Sequence, residues 1–200
     1  MKLYNVYCVH WGDKYSRDSV TRLKDSVESN TTLDIKFWCY TDQPKEDYDI
    51  PVKYSYLKGV WHKLALFEFT GPSVYFDLDL DIENNIDFLF RDFDGFTLLN
   101  AEKWKDYNFE DEVEQFRFRL NNDTKLNSSF MRWQDNKIVF EKFIKEPNTY
   151  TRIYKGIDRF IYNEGVEYKL LDSVYIPHWK IKSDLWNNQY WVPAVIRDVG

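Results

Sequence analysis

The nine residues 74–82 read VYFDLDLDI, and no other stretch restricts the fold so tightly. An extended chain turns successive side chains to opposite faces. Val74, Phe76, Leu78, Leu80 and Ile82 therefore share one face, and Tyr75, Asp77, Asp79 and Asp81 the other. Carboxylates two residues apart on one face stand roughly 6.6 Å apart at Cα, from two rises of about 3.3 Å. Like charges so close at the end of an apolar strand raise at least one pKa unless a cation intervenes. A divalent ion removes that conflict and supplies positive charge for an anionic substrate. The competing reading is a strand running out into water with solvated acids, which a single Asp would fit better than an acid at every second position.

Upstream, residues 2–10 (KLYNVYCVH) are apolar, β-branched and aromatic enough for a buried strand. A turn-like WGDKYS follows, then a helix in which Val20, Leu23 and Val27 recur at helical spacing, with Ser16 as N-cap. Residues 33–40 (LDIKFWCY) make a second strand, closed by Thr41 and Asp42. After the loop QPKEDYD and a short extended piece comes an amphipathic helix from about Val60 to Phe69, stopped by Gly71-Pro72. Strand, helix, strand, helix, strand is the order of βαβ units, so the fold class is α/β with a mostly parallel central sheet flanked by helices. In such sheets ligands bind at the carboxyl ends of the strands, where His10 to Tyr15, Tyr40 to Asp42 and Asp77 to Asp81 fall.

The second half is less regular. FTLLNAEKW reads as a strand, EDEVEQFRFRL is ambiguous, and NSSFMRW is a strand leading into the helix NKIVFEKFIKE, which Pro147 closes. IDRFIYNEG is a short helix ended by Gly165, and YKLLDSVYIP is strand-like. The net charge of −6, with no long Lys/Arg block, leaves no electrostatic footprint for nucleic acid. Cys8 and Cys39 sit in apolar runs as buried reduced thiols, without the spacing of a zinc site. MKLYNVYCVHW has no small-residue cleavage site and reads as a first strand; no apolar run approaches a membrane span, and the expected location is a cytoplasm.

Two enzyme chemistries place DxD after an apolar strand. In haloacid-dehalogenase-like phosphotransferases the first acid, here Asp77, attacks phosphate; Leu80-Asp81 stands where a small pair is wanted, and two βα units precede the motif. In the other, the order of CVHWGDKYS, CYTD, WHKLALFEF and VYFDLDLDIENNIDFLF, then LNSSFMRW and KGIDRFIYNE, resembles the GT-A fold nucleotide-sugar glycosyltransferases, in particular short viral and bacterial forms related to family 8. The resemblance spans about residues 2–180 and is strongest from Trp61 to Leu89. A non-catalytic sugar- or metal-binding module on the same fold is the third reading.

The resemblance implies a Rossmann-like GT-A domain over residues 1–200, with a nucleotide-binding half to about residue 90 and a sugar and acceptor half beyond it. It implies a hexosyltransferase using a UDP-sugar such as UDP-glucose, an unknown glycan or small-molecule acceptor, and Mn2+ or Mg2+ as cofactor. Asp77 and Asp79 would hold the metal, with His178 as a third ligand; Asp77 would also reach the ribose. His10, Trp11, Tyr15, Tyr40 and Asp42 would cradle the nucleoside, Lys63 would face the donor, and Asn127 and Ser128 would bond the sugar hydroxyls. Lys180 and Lys182 would neutralise the leaving phosphate, and Asp158 would face the reacting sugar or acceptor, as the base if the reaction inverts. The family's His-Gly and Lys-Pro closing segment has no counterpart in PAVIRDVG, so either His178 and Lys180 take its place or phosphate binding is weaker. If viral, the protein would act in the host cytoplasm.

Overall fold

The computed structural model describes residues 2–91, 93–101, 112–113, 116, 124–172 and 196–198. Its strands are β1 (Tyr4–His10), β2 (Ile35–Thr41), β3 (Asp49–Pro51), β4 (Pro72–Phe76), β5 (Leu80–Ile82), β6 (Thr97–Asn100), β7 (Leu126–Gln134), β8 (Lys169–Asp172) and β9 (Ile196–Asp198). The helices are α1 (Arg17–Ser29), α2 (Ile138–Phe143), α3 (Pro147–Ile153) and α4 (Ile157–Asn163), with 3-10 segments at Gly59–Glu68 and Asp87–Phe90.

Seven strands form one sheet in the order β3-β2-β1-β4-β7-β6-β8. Strand β1 runs parallel to β2 and β4, β2 to β3, and β6 to β8, while β7 is antiparallel to both β4 and β6. The α/β class and mostly parallel sheet expected from the sequence are therefore present. Because β7 is reversed, its first residues lie on the same edge as the last residues of β1, β2 and β4. Asn127 and Ser128 are brought there by this reversal.

A sheet buried on both faces needs apolar residues at both parities of its strands. Val6 and Cys8 of β1, Phe37 and Cys39 of β2, and Val74 and Phe76 of β4 pack with Val20, Leu23 and Val27 of α1. Tyr7, Tyr40, Tyr75, Met131 and Trp133 face the other way, against the segment 61–67, α2 and α4. Both cysteines are free and buried.

Three expectations change. Residues 59–68 form a 3-10 segment, not an amphipathic helix: every side chain from Trp61 to Phe67 is buried. Lys63 is thus a buried ammonium. The run 74–82 is not one strand. β4 ends at Phe76, the chain turns with Leu80 N–H donating to the Asp77 carbonyl at 3.2 Å, and β5 joins a second sheet by pairing antiparallel with β9. The apolar parity survives, since Val74, Phe76, Leu78, Leu80 and Ile82 remain in one cluster, but the acids no longer form a row. Ser16 is the N-cap of α1 as expected, though without a side-chain cap bond, whereas Pro147 opens α3 rather than simply closing α2. The stretch EDEVEQFRFRL and the end of YKLLDSVYIP lie largely outside the described residues.

Candidate functional site

The carboxyl edge of the sheet gathers most of the residues singled out in the sequence. His10 ends β1, buried, and its ring is fixed from both sides. Its Nε2 lies 3.0 Å from the Tyr15 carbonyl, which can only accept, so Nε2 carries the proton. Its Nδ1 then faces the Thr41 hydroxyl at 3.2 Å. Gly12, at φ +66°, supplies a left-handed turn in the following loop. Its N–H lies 3.3 Å from each carboxylate oxygen of Asp42. Asp42 thus anchors this loop, and the base contact expected of it would have to be made in addition. Tyr40 is core: it is 2% exposed, and its hydroxyl accepts the Lys53 N–H at 2.8 Å. Tyr40 therefore supports the site from behind rather than facing a nucleoside.

The three acids of the turn have three different partners. Asp77 receives Lys63 Nζ at 2.7 Å and 2.9 Å on its two oxygens, together with the Tyr75 hydroxyl. Its backbone N–H bonds the Ser129 carbonyl at 2.9 Å, tying the turn to β7. Asp79 accepts the Tyr15 hydroxyl at 2.6 Å. Asp81 points to α1, where Arg22 Nε lies 3.2 Å away, and the same arginine bonds the Leu78 carbonyl at 3.0 Å. This removes Asp81 from the site and gives it a structural task.

Lys63 also reaches the Ser128 carbonyl at 3.3 Å and lies 5.1 Å from the Tyr75 ring centroid. Burial pushes the Tyr75 phenol well above its ordinary pKa, and the Asp77 charge adds to the effect, so the hydroxyl stays a donor. Asp158, in the first turn of α4, joins this group through hydrogen bonds with Ser128. Its Oδ1 is sealed from water without a partner. Burial raises its pKa, with Asp77 adding repulsion and Ser128 and Lys63 opposing. Asn127 is turned to its own strand, its side-chain oxygen accepting the Ser129 N–H at 2.7 Å.

Two cavities open along this edge. One, of about 370 Å³, is lined by Trp11, Tyr15, Lys63, Asp77 and Asp79 among others; a neighbour of about 360 Å³ is lined by His10, Tyr15, Arg17, Gln43 and Lys45 among others. His178, Lys180 and Lys182 lie outside the described residues. The sequence reading missed His62, which is fully buried with its ring 5.3 Å from Trp11 and 6.1 Å from Tyr40. Burial lowers its pKa, so it packs between them as a neutral ring, tilted to both. It also missed Tyr75, whose parity with Asp77 along the strand was a usable signal, and Arg22, for which the sequence carries none.

Among the described residues no three His, Cys, Asp or Glu side chains stand together as a metal cage. The donor set nevertheless fits a magnesium-like or manganese-like ion. Such ions are commonly held by one or two carboxylates with substrate phosphates and water completing the shell. Asp77 and Asp79 provide the two carboxylates on one cavity wall. An ionised carboxylate offers about four acceptor positions, so the existing bonds leave capacity.

No protein-family model matches the sequence, and no curated protein matches it by sequence. Solved structures do. The galactosyltransferase LgtC, solved with donor and acceptor sugar analogues, superimposes with a TM-score of 0.63 at 11% identity, covering 97% of this chain and 86% of LgtC. The fold is the GT-A glycosyltransferase fold. Mouse xyloside xylosyltransferase 1 shares it, with a TM-score of 0.55 at 12% identity over 98% of this chain and 97% of that one. The glycosyltransferase GlyE of Streptococcus pneumoniae TIGR4 matches with a TM-score of 0.60 at 11% identity over 88% of this chain, which spans 46% of GlyE. On a GT-A framework the two cavities lie where open α/β sheets bind ligands, outside the carboxyl ends of the strands.

Proposed function

We propose that this chain is a glycosyltransferase that moves a hexose from a UDP-sugar to an acceptor hydroxyl, with Mn2+ or Mg2+ held by Asp77 and Asp79. The supporting observation is the cavity that joins two carboxylates and a buried ammonium, Lys63, at the carboxyl edge of a GT-A sheet. A bound divalent ion would supply positive charge against the departing diphosphate. Lys63 adds a second positive charge, and its burial makes that charge count for more than it would in water. The Tyr75 hydroxyl holds Asp77 in place. The nucleoside occupies the neighbouring cavity beside His10 and Tyr15, while Trp11 lines the cavity of the two carboxylates. Ser128 steadies Asp158, which would face the sugar and, in an inverting reaction, would take the proton of the acceptor hydroxyl. Its raised pKa suits that task better than an ordinary aspartate. A single domain acting in a cytoplasm belongs to the same reading; both cysteines are free, and no helix among the described residues is long and apolar enough to cross a membrane.

Thermal unfolding with a panel of nucleotide sugars, each with and without Mn2+, tests this. A ligand present at about 100 times its dissociation constant adds roughly 2.7 kcal/mol to stability. The expected result is a shift that needs both Mn2+ and one UDP-sugar and is lost in Asp79→Asn, whose own melting temperature stays close to that of the unsubstituted protein. A shift with Mg2+ and a phosphate mimic, and none with any sugar nucleotide, would replace this reading with a phosphotransferase.

A further inference from the structure

Tyr15 lines both cavities, together with Gly12 and Asp13. At about 360 and 370 Å³, each is near the lower end of the roughly 300–1,000 Å³ typical of small-molecule sites. Tyr15 is held between them at both of its ends. Its carbonyl accepts a hydrogen bond from His10 Nε2 at 3.0 Å, and its hydroxyl donates to Asp79 Oδ2 at 2.6 Å. Lys14 Nζ donates to the same hydroxyl and lies 4.4 Å from the ring centroid. The hydroxyl therefore occupies an oxygen of the very acid that a cation would use.

We propose that Tyr15 is a gate that couples nucleotide binding to cation binding. With the gate closed, its hydroxyl satisfies Asp79 and the cleft is two separate cavities. A nucleoside diphosphate spanning both moves the ring aside, and Asp79 is released toward the cation. This rests on the donor reading above. A cation binding the closed protein must first displace a hydrogen bond to an ionised carboxylate, so its apparent affinity falls with the fraction of open gate. Nucleotide removes that handicap, and by linkage the cation strengthens nucleotide binding by the same factor.

The test measures Mn2+ binding directly, from the electron paramagnetic resonance signal of the free ion, with and without saturating UDP. Tyr15→Phe keeps the ring and removes the hydroxyl. It is expected to bind Mn2+ without nucleotide about tenfold more tightly than the unsubstituted protein, from the loss of one charge-assisted hydrogen bond. The gain from UDP should shrink by the same factor. Lys14→Met, which removes the ammonium holding that hydroxyl, should shift the nucleotide-free affinity in the same direction by less. Unchanged Mn2+ affinity in Tyr15→Phe, with undiminished enhancement by UDP, overturns the gate and leaves the donor reading standing. Absence of both UDP and Mn2+ binding in every form overturns both.

Discussion

At Asp158 a carboxylate oxygen is shut away from water with no hydrogen-bond partner, beside a second acid, Asp77. An uncompensated group of this kind is costly for stability, and such groups collect at functional sites. The folded-state pKa stands above the ordinary 3.8, first because of burial. The folded protein therefore keeps a proton that the unfolded chain has released, and stability falls as pH rises through the folded pKa. Asp158→Asn should accordingly melt higher than the unsubstituted protein at pH 7, and the difference should close as the pH is lowered toward about 4. Calorimetric melting curves across that range check it; a lower melting temperature for the variant at pH 7 would count against the buried-charge account. The same variant should lose most sugar transfer if Asp158 is the base.

Among the elements, the turn before β2 is locked to the 3-10 segment 87–90 by one side chain. Asp87 Oδ1 accepts the Thr31 hydroxyl at 2.7 Å and the Thr32 N–H at 2.9 Å, and its Oδ2 accepts the Thr32 hydroxyl at 2.6 Å. Burial alone would raise its pKa, but these bonds bring it down to about 2. A depressed carboxylate stabilises the fold above its unfolded value of 3.8, and that contribution is lost as pH falls through about 2. Asp87→Ala should cost about 0.5–1.5 kcal/mol near neutrality, since water re-solvates the exposed threonine groups. Urea unfolding from pH 5 downward should show the unsubstituted protein losing its advantage over the variant between about pH 4 and pH 2. A difference constant with pH would assign the effect to packing instead. No local pattern points to this lock, because Asp87 lies 55 residues beyond Thr32 and meets the two threonines only when β2 and the acidic turn are both in place.

For the molecule as a whole, the sheet is a two-sided wall, and its stability depends on aromatic side chains that fill the face away from α1. Trp133 is fully buried, with its ring 4.8 Å from Phe67 and 5.9 Å from Tyr7. Trp133→Ala should destabilise by about 3–5 kcal/mol, a melting shift on the order of 10 °C for a chain of this size. Denaturant unfolding measures it; a loss under about 1 kcal/mol would mean that the face repacks around the gap.

The order of strands and helices, the parity of the apolar residues and the acids after β4 were all legible in the sequence, because burial imposes local periods of two and of about 3.6 residues. Those periods placed His10, Asp42, Asp77 and Asp79 near one edge, while Lys63 was singled out only by the resemblance. They could not show that residues 77–79 turn, because the partner of β5 is β9, far along the chain. Nor could they show that Lys63 is buried against Asp77, since that pairing needs the 3-10 segment, β4 and β7 packed together. Local pattern determined which faces are apolar and where charge accumulates. Which carboxylate meets Lys63, which meets Tyr15 and which is held by Arg22 was decided by the tertiary structure, because a side chain's partner is set by contacts between elements that no local period encodes.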